Sequence, residues 1–90
     1  GVGGAVANAG GLRLRKLADD AQVLVVTHSP QVAARAHDHW RISKSGDAAS
    51  TRTAVEPLSP AAREEEIARM LAGAEITEAA RAAARALIGA

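Results

Sequence analysis

Apolar side chains recur along this chain with three different spacings, and each predicts a different element. Val6, Gly10, Leu14 and Leu17 fall four, four and three residues apart, one face of a 3.6-residue period, so residues 1–21 open glycine-rich and turn helical. Arg13 lands on that same face, and Gly10-Gly11 in mid-helix would cost about 1 kcal/mol each relative to Ala. Gln22 to Thr27 holds the sole run of consecutive β-branched and leucine residues, which reads as a strand apolar on both faces, the pattern of a central parallel strand. It stops at Thr27-His28-Ser29-Pro30, where Ser29 can cap a short helix over Pro30 to Arg35, with proline at the first position. Trp40 and Ile42 alternate within 39–43, as do Thr51, Thr53 and Val55 further on. Ser45-Gly46-Asp47 supplies turn chemistry between them, so the two stretches predict an antiparallel hairpin.

Ser59-Pro60 repeats the cap arrangement and starts a helix on which Ile67, Met70, Leu71 and Ala74 form a predicted buried stripe. Glu64, Glu65 and Glu66 read as complements to its positive end, and Gly73 is placed to terminate it. Thr77 caps a last helix through Leu87 or Ile88, with Ile76, Ala80, Ala83 and Leu87 on one face. The predicted class is α/β, in the order helix, strand, helix, hairpin, helix, helix. One parallel-type strand cannot make a sheet by itself, so its neighbours are expected from a longer polypeptide or from another chain.

Composition narrows the classes. The 90 residues contain no Cys, which excludes a disulfide framework and a Cys-ligated zinc. Hydrophobic residues reach 48%, but most are alanine and the single aromatic is Trp40. The longest bulky apolar run, Val23-Leu24-Val25-Val26, falls far short of the ~20 residues of a membrane span, so a soluble chain is expected. A formal net charge of +1 gives no global attraction to nucleic acid, and partner arguments rest on local sites. A chain this short buries only roughly 60 to 65% of its unfolded surface, and marginal independent stability follows. Gly1 rather than Met opens the sequence and no secretory signal precedes it, so part of a longer protein is expected.

Among candidate sites His28 comes first. It lies just past the carboxyl end of the predicted strand, where open α/β sheets place ligand-binding groups, and just before a capped helix start. An imidazole there can donate to a phosphate oxygen; it can equally bond a carbonyl at the strand-to-helix corner. Gly1-Val2-Gly3-Gly4 permits close backbone approach to phosphate or to a facing subunit, and a frayed terminus fits it too. No Lys-Ser or Lys-Thr follows those glycines, so the stretch is no Walker A sequence. His37-Asp38-His39 would put two imidazoles on one strand face, but a third ligand at a recognised spacing is missing, and a polar strand start is the better reading. Arg13, Arg15 and Lys16 are balanced by Asp19 and Asp20, as on a solvated helix face. Ser29 suits a cap, and no G-x-S-x-G elbow exists, so hydrolase chemistry contained in these residues is not expected.

Taken together, Gly1-Val2-Gly3-Gly4, a helix, and Gln22-Val23-Leu24-Val25-Val26-Thr27-His28-Ser29-Pro30-Gln31-Val32-Ala33 closely resemble the carboxyl-terminal part of the RecN family, relatives of the SMC proteins with an ABC-type ATPase head. Glu65-Glu66-Ile67-Ala68-Arg69-Met70-Leu71-Ala72-Gly73-Ala74-Glu75-Ile76-Thr77 resembles the family's closing two-helix segment, so the likeness runs across nearly all ninety residues. The resemblance implies that residues 1–90 are the terminal lobe of an ABC/SMC-type P-loop ATPase head. It matches Gly1, Val2, Gly3 and Gly4 to the D-loop at the interface between two heads. It matches His28 to the switch histidine that contacts the γ-phosphate of ATP, a donor aimed at developing phosphoryl charge. Tyr or Phe is the family's expectation where Trp40 stands.

A Walker A lysine, a Walker B Asp-Glu pair, the ABC signature and the coiled-coil arm are all missing from these residues. The segment is therefore not expected to bind or hydrolyse ATP alone. By resemblance the intact protein uses ATP and Mg²⁺, pairs its head with a second one in a homodimer, and acts on DNA double-strand breaks in recombinational repair. The same resemblance implies the cytoplasm, in association with the nucleoid, and no membrane partner. The competing expectation is a non-enzymatic, helix-rich interaction module that binds through Ile67, Met70 and Leu71. A third is direct DNA binding by the Arg13 to Lys16 cluster, which predicts salt-dependent affinity.

Overall fold

The computed structural model describes residues 2–90, and for Val2 only the backbone. Among the described residues the elements are α1 (Val2–Leu17), α2 (Pro30–Ala33), β1 (Trp40–Asp47), β2 (Ser50–Pro57), α3 (Pro60–Ala72) and α4 (Glu78–Gly89). The class is thus mixed helix and strand, with a single two-stranded antiparallel sheet. The helix starts arise from local chemistry. Ser29 Oγ accepts from the Val32 N–H at 3.4 Å, Ser59 Oγ from Ala62 at 3.2 Å and Thr77 Oγ1 from Ala80 at 3.1 Å. Each satisfies one of the amides a helix leaves free at its start. Gly73 ends α3 at φ +80°, a left-handed conformation that glycine adopts without a Cβ penalty.

The predicted strand over Gln22 to Thr27 is not formed. Residues 22–29 form neither helix nor paired strand among the described residues, and Leu24 and Val26 are each 82% exposed. A strand acquires its hydrogen bonds from neighbours, and the described residues place none beside it. The hairpin does form, with Ile42 opposite Val55 and Trp40 opposite Pro57. Its turn is Ala48-Ala49, just past the expected Ser45-Gly46-Asp47. The Asp47 carboxylate draws it closed by accepting from the Ala49 and Ser50 amides at 3.0 and 2.9 Å.

The core is small and alanine-rich: Ala33, Ala34, Ile67, Ala68 and Ala84 are buried, with Met70, Ile76, Ala80, Leu87 and Ile88 packed around them. α3 packs on α4, and α2 bridges α1 to α3. Three expected faces are displaced. On α1 the inward positions are Gly4, Ala7, Asn8, Gly11 and Leu14, while Val6 and Leu17 are exposed, because the approach to α2 requires small residues. Leu71 on α3 is exposed, as is Ala74, which lies past the end of that helix, and on α4 Ala84 replaces Ala83 at the centre of the contact. The Cα radius of gyration is 14.1 Å, against about 12 Å for a compact chain of this length, which fits the open extended segment and the exposed hairpin.

Candidate functional site

His28 sits where the extended segment meets α2, and its backbone is pinned on both sides. The Ser29 N–H donates to Thr27 Oγ1 at 3.0 Å, closing a turn around His28, while Ser29 caps α2 and its hydroxyl donates to Gln31 Oε1 at 3.1 Å. The ring itself is exposed, and the hydrogen bonds among the described residues do not use it. It stands at the end of a rigidly turned segment as a free donor and acceptor.

The glycine stretch is brought close to this turn. Gly3 and Gly4 lie within α1 rather than in a loop ahead of it, and Gly1 and the side chain of Val2 lie outside the described residues. A Cβ at Gly4 would stand 3.7 Å from Gln31 Nε2, so Gly4, Gln31, Ser29 and His28 are contiguous. A Cβ at Gly3 would meet nothing within 4 Å, which leaves that backbone open to approach from outside.

Arginines hold the other end of α2, of which Arg63 and Arg35 were not singled out by the sequence pattern. Arg63, on α3, donates through Nη2 to the carbonyls of Ala33, Ala34 and Ala36 at 3.1, 3.0 and 2.7 Å. Arg15, on α1, donates to the Arg35 carbonyl at 2.6 Å. Arg35 is itself buried; its Nη2 and Nε reach Asn8 Oδ1 at 2.8 and 3.2 Å, and its Nη1 reaches the Ala90 carbonyl. Helix carbonyl ends carry partial negative charge and unpaired acceptors, so guanidinium groups gather there. Burial and the neighbouring Arg15 lower the Arg63 pKa, with Asp38 opposing them, but a guanidinium keeps its charge. In the sequence these arginines were indistinguishable from a solvated polar face, because nothing in their spacing tells what a long cation meets.

The remaining candidates resolve individually. In the Arg13 to Lys16 cluster, Arg15 donates to a backbone carbonyl, which fixes its position and leaves its charge in place. Glu64, Glu65 and Glu66 lie beyond the first turn of α3, where the dipole effect has decayed. They pair instead with Arg85 at 3.1 Å, Arg81 at 3.0 Å and Arg69. The first two pairs cross to α4 at the rim of the contact between the two helices. Hydrogen bonds from Arg69, with the Arg41 charge nearby, hold the Glu66 carboxyl below its usual range despite its burial. His37 is exposed and His39 half-buried, and no group of three metal-ligating side chains gathers among the described residues. A cleft of about 360 Å³ lies beside His37, His39, Arg63 and Arg85, but it does not include His28, and its Arg85 and Glu64 satisfy each other. Ile67, with no exposure, cannot contact a partner, which removes one of the three residues assigned to an interaction surface.

No protein-family model matches the chain. Over nearly its whole length, however, the chain is a homologue of part of a larger class of protein, one that repairs DNA by name. The curated relatives are called DNA repair protein RecN, as the resemblance in sequence had indicated. The one from Xylella fastidiosa strain Temecula1 is 50% identical over 88 residues, covering 98% of this chain and 16% of the relative. Those from Streptomyces coelicolor and Deinococcus radiodurans are each 49% identical over 88 residues, covering 98% of this chain and 15% of the relative. The chain therefore spans about a sixth of the length of the curated relatives it matches.

Proposed function

We propose that this chain is the carboxyl-terminal lobe of a RecN-like ATPase head, and that within a longer protein it serves the repair of DNA double-strand breaks. The observation that carries the reading is the unpaired segment from Gln22 to Thr27. The most strand-prone residues in the sequence are unpaired, with Leu24, Val25 and Val26 exposed, and they lead directly into a pinned His28. Leaving Leu24 and Val26 in water is costly, and a sheet contributed by the remaining polypeptide would cover them. The exposed Trp40, Ile42 and Val55 on one face of the hairpin ask for the same kind of cover. Homology to RecN over 88 residues supports the choice of larger protein.

In that setting His28 is the group that touches the terminal phosphoryl group of ATP, a reading supported by its exposed ring at the pinned turn before α2. The phosphate cradle and the ligands for Mg²⁺ belong to residues outside this segment. Gly3 and Gly4, in the first turn of α1 beside the His28 turn, stand where the resemblance puts the D-loop, and they face a second head in a homodimer, where the open space at Gly3 allows close approach. DNA is engaged by the intact protein. The test is His28→Ala in the full-length protein: ATP turnover falls while the circular dichroism spectrum and melting temperature stay unchanged. Full turnover in a correctly folded variant would remove the assignment.

A further inference from the structure

α2 has only four residues, far below the ~12 at which an isolated helix becomes marginally stable in water, so its position is set by what grips it. Its start is gripped locally, by Ser29 and Thr27, within three residues of His28. Its end is gripped from a distance. The carbonyls of residues 33, 34 and 36 converge on one nitrogen of Arg63, and that of residue 35 on Arg15, so four successive carbonyls are held by two guanidinium groups from two other helices. Arg63 achieves this with its Nε buried and without a hydrogen-bond partner, a cost accepted by a side chain whose placement is dictated by the carbonyl cluster. α3, which carries Arg63, is also tied to α4 by the Glu64–Arg85 and Glu65–Arg81 pairs.

We propose that Arg63 is a positioning residue for His28: it anchors α2 to α3 so that the turn from Thr27 to Pro30 presents the imidazole in one place. The proposal rests on the His28 reading above for its catalytic consequence, but its mechanical half stands on the geometry alone. A rigid path runs from α3 through Arg63 to the α2 carbonyls, and along α2 to Ser29 and His28. Arg15 adds a second grip from α1 on the neighbouring carbonyl. Lys at position 63 offers a single point donor in place of a planar fork and grips the cluster only in part.

The test uses the full-length protein, with Arg63→Met, Arg63→Lys, His28→Ala and the double variant His28→Ala/Arg63→Met. Amide exchange is followed at Ala33 and Ala34, whose N–H groups bond the carbonyls of Ser29 and Pro30. With Met it should quicken by about tenfold or more while α4 amides hold, and with Lys by less. ATP turnover should drop by about tenfold to a hundredfold in kcat, with KM moving less than about twofold, as for a displaced group that acts in the transition state. In the His28→Ala background the same Met substitution should cost nothing further. Unchanged α2 exchange overturns the proposal, as does an equal loss of kcat with and without His28. If His28→Ala leaves turnover intact while α2 exchange still rises in Arg63→Met, the ATPase reading of His28 fails and the mechanical link stands. Should the Met variant not fold, the Lys variant decides by the same exchange measurement, with wild-type exchange counting against the link.

Discussion

Gly11 of α1 lies directly against Val32 of α2: a Cβ added at Gly11 would stand 3.2 Å from the Val32 Cα and 3.3 Å from the Gln31 carbonyl oxygen. Both are backbone atoms that cannot swing aside. The neighbouring Gly10 has nothing within 4 Å of the same construction. Two adjacent glycines of equal helix propensity therefore have opposite reasons to be present. Gly10→Ala should stabilise the chain by about 1 kcal/mol through helix propensity. Gly11→Ala should destabilise it by about 1 to 3 kcal/mol by forcing the helices apart. Urea midpoints of the two variants check this, and a gain in both would show that α1 and α2 do not meet as described.

Acid should weaken the fold in two stages. His39 has its pKa lowered from 6.5 by burial and by Arg63, with Glu66 opposing. The unfolded chain therefore takes up this proton first, and stability falls as the pH drops below about 6.5 towards the folded value. Glu66 has its pKa lowered from 4.5, chiefly by hydrogen bonds from Arg69, so its contribution is complete above 4.5 and is lost as the pH falls through the lower folded value. His39→Leu should flatten the upper stage and keep the lower one; Glu66→Gln should do the reverse. Melting temperatures between about pH 7.5 and about pH 3, a range that brackets both groups, read both stages. A single stage unaffected by His39→Leu would contradict the upper assignment.

The core rests on one large side chain. Ile67 is the fully buried large residue among the described ones, and the other buried members of its core are alanines. Ile67→Ala should cost about 2 to 5 kcal/mol, enough to unfold much of a chain this small. Leu71, 37% exposed and on the same helix, should cost less than half as much on the same change. Equal losses, measured by thermal denaturation, would mean that the two residues share a burial the structure does not show.

What was legible in the sequence was local. Ser29-Pro30, Ser59-Pro60, Thr77 and Gly73 act through their own and adjacent backbone groups, and every one of these boundaries is found. The hairpin was legible for the same reason, its alternation and turn chemistry being short-range. Long-range features were not. A mid-helix glycine reads as a cost until its neighbour is known, and Gly11 became a contact only through Val32. Arg63 looked like any cation at the start of a polar helix, although three carbonyls define its place. At the candidate site, His28 was singled out by its position after an apolar run and before a cap, and the cap is found. The apolar run itself failed to become a strand because strand propensity describes fitness for a sheet, and supplies no partner.

That unpaired run gives the sharpest separation between the segment by itself and the protein it is proposed to belong to. Val26 is 82% exposed here, so Val26→Asp removes little buried surface and should change the stability of the 90-residue chain by no more than about 0.5 kcal/mol. It should also reduce any self-association, because an extended apolar segment with free amides and carbonyls is a template for pairing, and a charge blunts it. In the full-length protein the expectation reverses. If Gln22 to Thr27 is a central strand there, the same carboxylate is forced into an apolar interior without a partner, a burial that costs several kcal/mol or drives the group to remain protonated. Thermal denaturation of Val26→Asp in both lengths compares the two cases directly. A full-length variant as stable as its parent would mean that residue 26 stays in water there too, and the segment would then not be a strand of a completed head.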